Sequence, residues 1–511
     1  MQRLAGLPLL LVLTGVAAGS MYLPAAHALI LREHQVARAF FYSGTVILLL
    51  TAMIALAVAG HRPRNAARSL LGSLAGAYLI LPVLMAVPFV QAVPDTAFTN
   101  AWFEMLSSFT TTGATLYPPE RLPQSVHLWR ALAGWGGGFF AMLMAVAVLA
   151  PLNLGGVEVV TGRPPGRGAI GAAQITHVAH PGRRVIRYAA LLFPAYGAVT
   201  LVLWIGLVMA GEFSFVALCH AMGTISTSGI SPVGGLMGAH AGLTGEALIF
   251  LCLFPAVTRR ALPGAVMVDR SRRWWHDPEV RVAAAIVATA TAAVFLRHWV
   301  MVIELREVEP LTAALRSVWG AAFTALSFLT TTGFESRDWV TARAWSGLGT
   351  PGLMLLGLAI TGGGVATAAG GVKLLRIYAL SLHAQRELER IVHPSSVSGR
   401  GPMARRLRGE GAYVAWIFFM LFAISIAAVT AAMAIVMPTE AFDKLLVLAI
   451  AGLTTTGQLA NVAADAPIFY ADLTGAAKTI LGLAMVVGRL ETLAILALVA
   501  PDGWRRVWAE W

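Results

Sequence analysis

Apolar residues fill long stretches of this chain, and polar residues collect in the short segments between them. Strongly apolar spans run near 4–25, 40–60, 69–90, 131–151, 188–210, 243–258, 281–303, 346–383, 411–437 and 475–500. About 20 apolar residues reach across a bilayer as one helix, so the pattern predicts about ten crossings. Two spans are irregular: 243–258 is short, and 346–383 is too long for one straight helix and is interrupted by glycines. Broken backbone at membrane depth is tolerated only where protein buries it or water lines it, which makes the irregular span a place to look for function.

Composition agrees with a membrane solvent. Of 511 residues, 58% are hydrophobic and 12% charged, too little polar surface for a soluble enzyme of this size. Cys219 and Cys252 sit in apolar surroundings and provide no disulfide framework. The net charge of +12 first raises the question of sidedness, not of nucleic acid. Arg3, the 61–68 loop, 152–187, 259–281, 373–410 and the tail with Arg505 and Arg506 together hold 25 Lys and Arg against 11 on the other side. The acidic residues divide 9 against 15, so both termini are expected in the cytoplasm. Arg3, the first apolar run and Ala26-His27-Ala28 also fit a signal peptide with a cleavage site; the remaining topology is the same either way.

Four segments outside the clean spans resemble one another: Leu106 to Ala114, Met222 to Ile230, Leu326 to Phe334, and Ile450 to Gln458. Each carries a run of three hydroxyl residues and then a glycine: Thr110-Thr111-Thr112-Gly113, Ser226-Thr227-Ser228-Gly229, Thr330-Thr331-Thr332-Gly333 and Thr454-Thr455-Thr456-Gly457. The glycines fall 116, 104 and 124 residues apart, each between two spans and after an amphipathic stretch too short to cross. A single Thr-Thr-Thr-Gly is usually a helix end or turn; four at matching positions point to a repeat of span, re-entrant half-helix, hydroxyl-rich loop and span. A ring of carbonyls can replace a cation's hydration shell, hydroxyls can steady such a loop, and glycine permits the positive φ that turns a carbonyl inward.

With these segments the chain resembles the Trk/Ktr/HKT superfamily of bacterial, fungal and plant potassium transporters, in particular its TrkH-type bacterial subunit. The resemblance implies an all-α polytopic membrane protein, with four tandem helix–pore-helix–filter–helix repeats around one pseudo-fourfold pore and an N-terminal helix pair. The divisions become 1–66 for the pair, then 67–187, 188–278, 279–408 and 409–511 for the four repeats. It implies potassium uptake across the bacterial inner membrane. The filter residues would be Thr111, Thr112, Gly113, Thr227, Ser228, Gly229, Thr331, Thr332, Gly333, Thr455, Thr456 and Gly457, with permeating potassium as the only metal and no cofactor in the chain. The second segment departs from the triple threonine but keeps its hydroxyls and glycine.

The third repeat's second span reads Ile360-Thr361-Gly362-Gly363-Gly364-Val365-Ala366-Thr367-Ala368-Ala369-Gly370-Gly371-Val372-Lys373, too glycine-rich for a quiet helix, although small residues also serve close helix packing. The resemblance implies an intramembrane loop beneath the filter that gates the pore, with Gly362, Gly363, Gly364, Gly370 and Gly371 supplying its flexibility. The last span contains Arg489 and Glu491 within an otherwise apolar run. A charge there is expected to face the bundle interior. Residues two apart on a helix do not face each other, which weakens a structural Arg489–Glu491 pair. By resemblance Arg489 is the pore arginine, and Glu491 is expected to tie helices together or to the loop.

The resemblance further implies a homodimer and a cytoplasmic nucleotide-binding regulatory ring of the TrkA kind. The basic loops, with Trp274, Trp275, His177, His180 and His393, show no metal-ligand spacing and serve lipid headgroup contact, topology or docking of that ring. No nucleic-acid partner is expected. Two rival functions remain open: a symporter coupling potassium to protons or sodium, which needs an ion-binding group near the midplane, and an intramembrane enzyme, which needs a convergent catalytic set that the sequence does not offer. Glu104, Glu120, Glu335, Asp338 and Asp465, near the filter mouths, are expected to concentrate cations.

Overall fold

The computed structural model describes residues 8–58, 66–152, 156, 181–261, 273–305, 311–346, 352–393, 411–464 and 466–491. All regular structure among the described residues is helical. Among the described residues seven helices are long and apolar enough to cross a membrane, including His34–Ala57, Gln124–Leu149, Arg184–Met209 and Ala412–Val436. An apolar run satisfies every backbone donor and acceptor internally only as a helix, and so these runs take that form in a bilayer. Their outward faces carry Leu49, Met53, Leu56, Met209 and Ile435, all well exposed. That surface suits hydrocarbon and not water.

The first apolar run forms two helices, Leu9–Ser20 and Tyr22–Ile30, which pack on His34–Ala57. The Ala26-His27-Ala28 triplet lies inside the second of these, with Ala28 buried and the His27 Nδ1 2.9 Å from the Ser125 hydroxyl. Ser125 in turn donates to Glu33 at 2.9 Å.

Four shorter helices are sheathed by the long ones: Phe98–Phe109, Ser214–Ile225, Leu311–Leu329 and Phe442–Leu453. Each follows a spanning helix and packs on it. Each also packs against the second helix of the repeat before it: Gln124–Met144 against Ser214–Ile225, Gly242–Cys252 against Leu311–Leu329, and Gly352–Thr361 against Phe442–Leu453. Gly475–Leu490 closes the circuit on Phe98–Phe109. Four helix–short-helix–helix units thus form a ring, and the C-terminal ends of the short helices, with the hydroxyl runs that follow, are buried inside it.

The long third-repeat span breaks as its glycines predict. Gly352–Thr361 ends, residues 362–373 run as non-helical backbone, and Leu374–Val392 begins a new helix.

Candidate functional site: the hydroxyl ring and the loop beneath it

The four hydroxyl runs share one local design. The first hydroxyl bonds back to the carbonyl four residues earlier: Thr110 to Leu106 at 2.7 Å, Ser226 to Met222 at 2.7 Å, Thr330 to Leu326 at 3.0 Å and Thr454 to Ile450 at 2.7 Å. The third hydroxyl bonds the first, at 2.8, 2.9, 3.0 and 3.3 Å in chain order. The middle residue is left-handed in every copy, with φ of +58° at Thr111, +55° at Thr227, +58° at Thr331 and +54° at Thr455. A β-branched residue at positive φ is a genuine outlier. Four at equivalent positions are a built feature, and an observed outlier of this kind directs attention to function.

The middle hydroxyls divide by partner. Arg489 Nη2 donates to Thr111 Oγ1 at 2.7 Å, and the Gly370 amide donates to Thr331 Oγ1 at 2.8 Å. The buried Thr227 and Thr455 hydroxyls have no hydrogen-bond partner among the described residues. The ring converges closely. A Cβ at Gly113 would collide with the Ser228 carbonyl, and one at Gly229 with the Thr332 carbonyl. Thr111, Thr112, Gly113, Thr227, Ser228, Gly229, Thr331, Thr332, Gly333, Thr455, Thr456 and Gly457 therefore lie in one locus, buried except at the half-buried Gly113, with Arg489 and the glycine loop against it at Thr111 and Thr331.

Loop 362–373 is held by bonds from many directions. The Gly364 amide donates to the Ala256 carbonyl at 2.9 Å, and Thr367 Oγ1 bonds the same carbonyl at 3.2 Å. The Val365 amide donates to Glu279 Oε1 at 2.8 Å, while the Glu279 Oε2 accepts the Arg259 amide at 3.2 Å. The Val372 amide returns to Ile360 at 2.8 Å. Gly362 and Gly371 are left-handed, at φ +74° and +75°. At Gly364 and Gly370 a Cβ would run into the carbonyls of Val257 and Thr454. Glycine thus permits close approach at these positions.

Arg489 and Glu491 go to different partners. Arg489 reaches Thr111, and Glu491 pairs with Arg376 at 2.8 Å. The Arg376 guanidinium also lies 3.6 Å over the Phe418 ring. Lys373 is buried, with its ammonium on the Ala369 carbonyl. Lys373, Arg376 and Glu279 are counted as cytoplasmic-face charges in the sequence, but all three are buried around the loop. The signal for two of them was present: Lys373 and Arg376 fall inside the predicted 346–383 apolar span, immediately after its glycines.

The acidic residues near the mouths separate. Glu104 is no cation collector, since it is fully buried, 2.6 Å from Arg130 and accepting the Leu116 amide at 2.9 Å. It ties the first short helix to the loop after its hydroxyl run. Glu246, unnoticed in the sequence, does the same for the third loop, accepting from Trp319, Ser336 and the Arg337 amide at 2.9, 2.8 and 2.7 Å. Glu120 is exposed and Glu335 half-buried. Burial pushes the Glu335 carboxyl up to about 7, against the opposing pull of Arg343. Asp465, His177, His180, Arg505 and Arg506 lie outside the described residues, as does most of 152–187 and 394–410.

A family profile for TrkH, described as a cation transport protein, matches residues 248–504. Over 493 residues the chain is 29% identical to the Trk system potassium uptake protein TrkH of Salmonella typhimurium, covering 96% of each. It is 28% identical over 497 residues, again 96% of each, to the protein of that name from Escherichia coli. The crystal structure of the potassium transporter TrkH from Vibrio parahaemolyticus matches with a TM-score of 0.78 at 24% identity, over 99% of this chain and 100% of that one, which shows a common fold. With the profile spanning half of the residues and the helical ring shared with a solved relative, the chain belongs to the TrkH family of cation transport proteins.

Proposed function

We infer that this multi-pass membrane protein is the potassium-uptake subunit of a Trk-type system in a bacterial inner membrane, with both termini in the cytoplasm. The curated relatives are named as potassium uptake proteins of Trk systems, which supports the ion and the setting. The observation that carries the reading within this chain is the convergence of four hydroxyl–glycine segments above a broken helix that is bonded to them through Gly370 and Thr331. Carbonyls of the four segments replace the hydration of potassium, with rubidium tolerated, and sodium fits the same ring less well. Loop 362–373 closes the base of the ring, and Arg489 adds a fixed positive charge against cation flow. Opening then requires the loop to leave Thr331 and the arginine to leave Thr111. A homodimer with one pore per subunit and a cytoplasmic nucleotide-binding ring complete the assembly, since a loop tied to the cytoplasmic end of Pro278–Leu305 through Glu279 is in reach of forces applied from that side. The division into an N-terminal pair, 1–66, and four repeats follows the same reading.

A coupled symport with protons or sodium draws support from Glu279 and Glu491, carboxylates held beside the loop. Flux of potassium, rubidium, sodium and lithium into liposomes at clamped potential, with and without a proton gradient, tests both. Passive flux favouring potassium and rubidium is expected. Uphill potassium movement driven by a proton or sodium gradient would replace the channel-like mechanism with symport, and equal flux of all four ions would end the filter reading.

A further inference from the structure

The four segments of the ring are alike through their third hydroxyl and then diverge. In the first three, one carbonyl accepts two successive amides: Ser107 from Thr112 and Gly113, Gly223 from Ser228 and Gly229, and Ser327 from Thr332 and Gly333. The glycines that follow are left-handed, at φ +72°, +58° and +80°. In the fourth, Ala451 accepts the Thr456 amide at 2.9 Å, but the Gly457 amide crosses to the Thr112 carbonyl at 2.7 Å. Gly457 is not among the left-handed glycines. Its carbonyl is taken by the Tyr470 hydroxyl at 2.8 Å and the Ala460 amide at 3.2 Å, and the chain coils directly into Leu459–Val462. The carbonyl that fourfold symmetry would contribute at this level is therefore engaged away from the ring.

A side chain stands in that quadrant. Gln458 Nε2 donates to the Gly229 carbonyl at 3.1 Å and the Ser228 carbonyl at 3.2 Å, and lies 3.5 Å from the Gly113 carbonyl. Its Oε1 is buried without a hydrogen-bond partner among the described residues and lies against Gly333. The loop and Arg489 reach the ring at Thr331 and Thr111, two residues before the glycines, so Gln458 sits at the opposite end from the gate. An amide nitrogen carries two donors, and here three carbonyls from two repeats surround it. That is the arrangement such oxygens adopt around a dehydrated cation. A cation arriving at this end needs the same oxygens.

We propose that Gln458 is a tethered competitor for the outermost ion position of the filter, setting the apparent affinity for cations without setting the choice among them. This rests on the filter reading above. Displacing the amide costs the same for every monovalent cation, so its removal shifts all of them in parallel. A glycine substitution inside the ring, which alters the carbonyl geometry itself, shifts them unequally. The unpartnered Oε1 explains why displacement is feasible: the side chain is held from one end only, and rotation breaks bonds on its nitrogen alone.

The test measures initial uptake of potassium and sodium against concentration for the full-length protein in liposomes, comparing Gln458→Ala, Gln458→Met and Gly333→Ser with the parent. Methionine keeps the volume of glutamine and removes the donors, so it decides the matter should the alanine variant fail to fold. Both Gln458 variants are expected to lower the half-saturating potassium concentration roughly three- to tenfold, the worth of a net hydrogen bond, and to lower that for sodium by the same factor. An unchanged or raised half-saturation overturns the proposal, the latter by making Gln458 a ligand. A changed potassium-to-sodium ratio in the Gln458 variants overturns it too. If Gly333→Ser leaves that ratio unaltered, the filter reading itself fails; if Gly333→Ser alters it while the Gln458 variants shift nothing, only the competitor role is lost.

Discussion

Two pieces of non-helical backbone meet at the centre of this protein, and they are built by opposite means. Each hydroxyl run is built mainly from local bonds: its first residue bonds four residues back, its third bonds the first, and the third residue's amide returns to the same short helix, as does the following glycine's amide in the first three runs. Loop 362–373 depends on distant donors and acceptors, namely Ala256, Glu279 and Thr331. A structure made of local bonds holds its shape whatever its neighbours do. A structure made of remote bonds holds only while those neighbours stay in place, so it can be released as a unit when they move. That difference is what the proposed filter above and the proposed gate below each require.

Breaking the filter side of this contrast has the largest expected effect. Gly113→Ser places a side chain at φ +72° and against the Ser228 carbonyl. A side chain there displaces the Ser228 carbonyl from the ring, so potassium-over-sodium discrimination should fall roughly tenfold, about 1.4 kcal/mol, in a two-ion flux assay. Retained discrimination would remove Gly113 from the filter. Next in size is Arg489→Ala. A unit charge at about 4 Å is worth about 4 kcal/mol at an effective dielectric near 20, so basal flux should rise by about an order of magnitude or more, while Arg489→Lys should stay nearly closed. Equal leak in both variants would show that the contact to Thr111, and not the charge, does the blocking.

The gate side breaks more gently. Glu279→Gln keeps the shape of the side chain but weakens the acceptor that holds Val365 and Arg259. A bond to a charged group is worth about 1.5–3 kcal/mol, and losing part of it should raise basal flux a few-fold with selectivity intact. A fall in selectivity without added leak would contradict the division between filter and gate. The smallest effect belongs to the mouth. The Glu335 carboxyl, pushed up to about 7 by burial, carries its charge above that pH and loses it below. Potassium uptake at low salt should therefore decline modestly as pH falls through 7, and Glu335→Gln should flatten the profile at its lower level. A profile untouched by the substitution would place the titrating group elsewhere.

Much of the fold was legible in the sequence, because an apolar run long enough to cross a bilayer has only one way to satisfy its backbone. The break in the third repeat was legible for a related reason, since five glycines in ten residues cannot sustain a helix. The four repeats were visible because the hydroxyl bonds that shape each run join residues only two to four apart, so the same local sequence recurs wherever the shape does. Family membership makes the chain a transport protein and sets the enzyme reading aside. What escaped notice were residues whose partners are remote. Glu279 counts in the sequence only as a cytoplasmic-side charge, Glu246 lies unremarked inside the 243–258 span, and Gln458 is only the last residue of the fourth segment.

The sequence by itself determined the helical class, the fourfold repetition and the place where a helix must fail, since all of these follow from solvent, spacing and local bonding. Only the tertiary structure decided that Arg489 meets Thr111 across 378 positions, that Val365 hangs from Glu279 across 86, and that Gln458 reaches Gly229 across 229. It also decided that the fourth segment is unlike the other three, although its Thr-Thr-Thr-Gly is identical to the first and third. Identical local sequence takes a different course there because the Thr112 carbonyl of the first repeat captures the Gly457 amide, a contact that only the closed ring brings about, while the Tyr470 hydroxyl of its own repeat takes the Gly457 carbonyl.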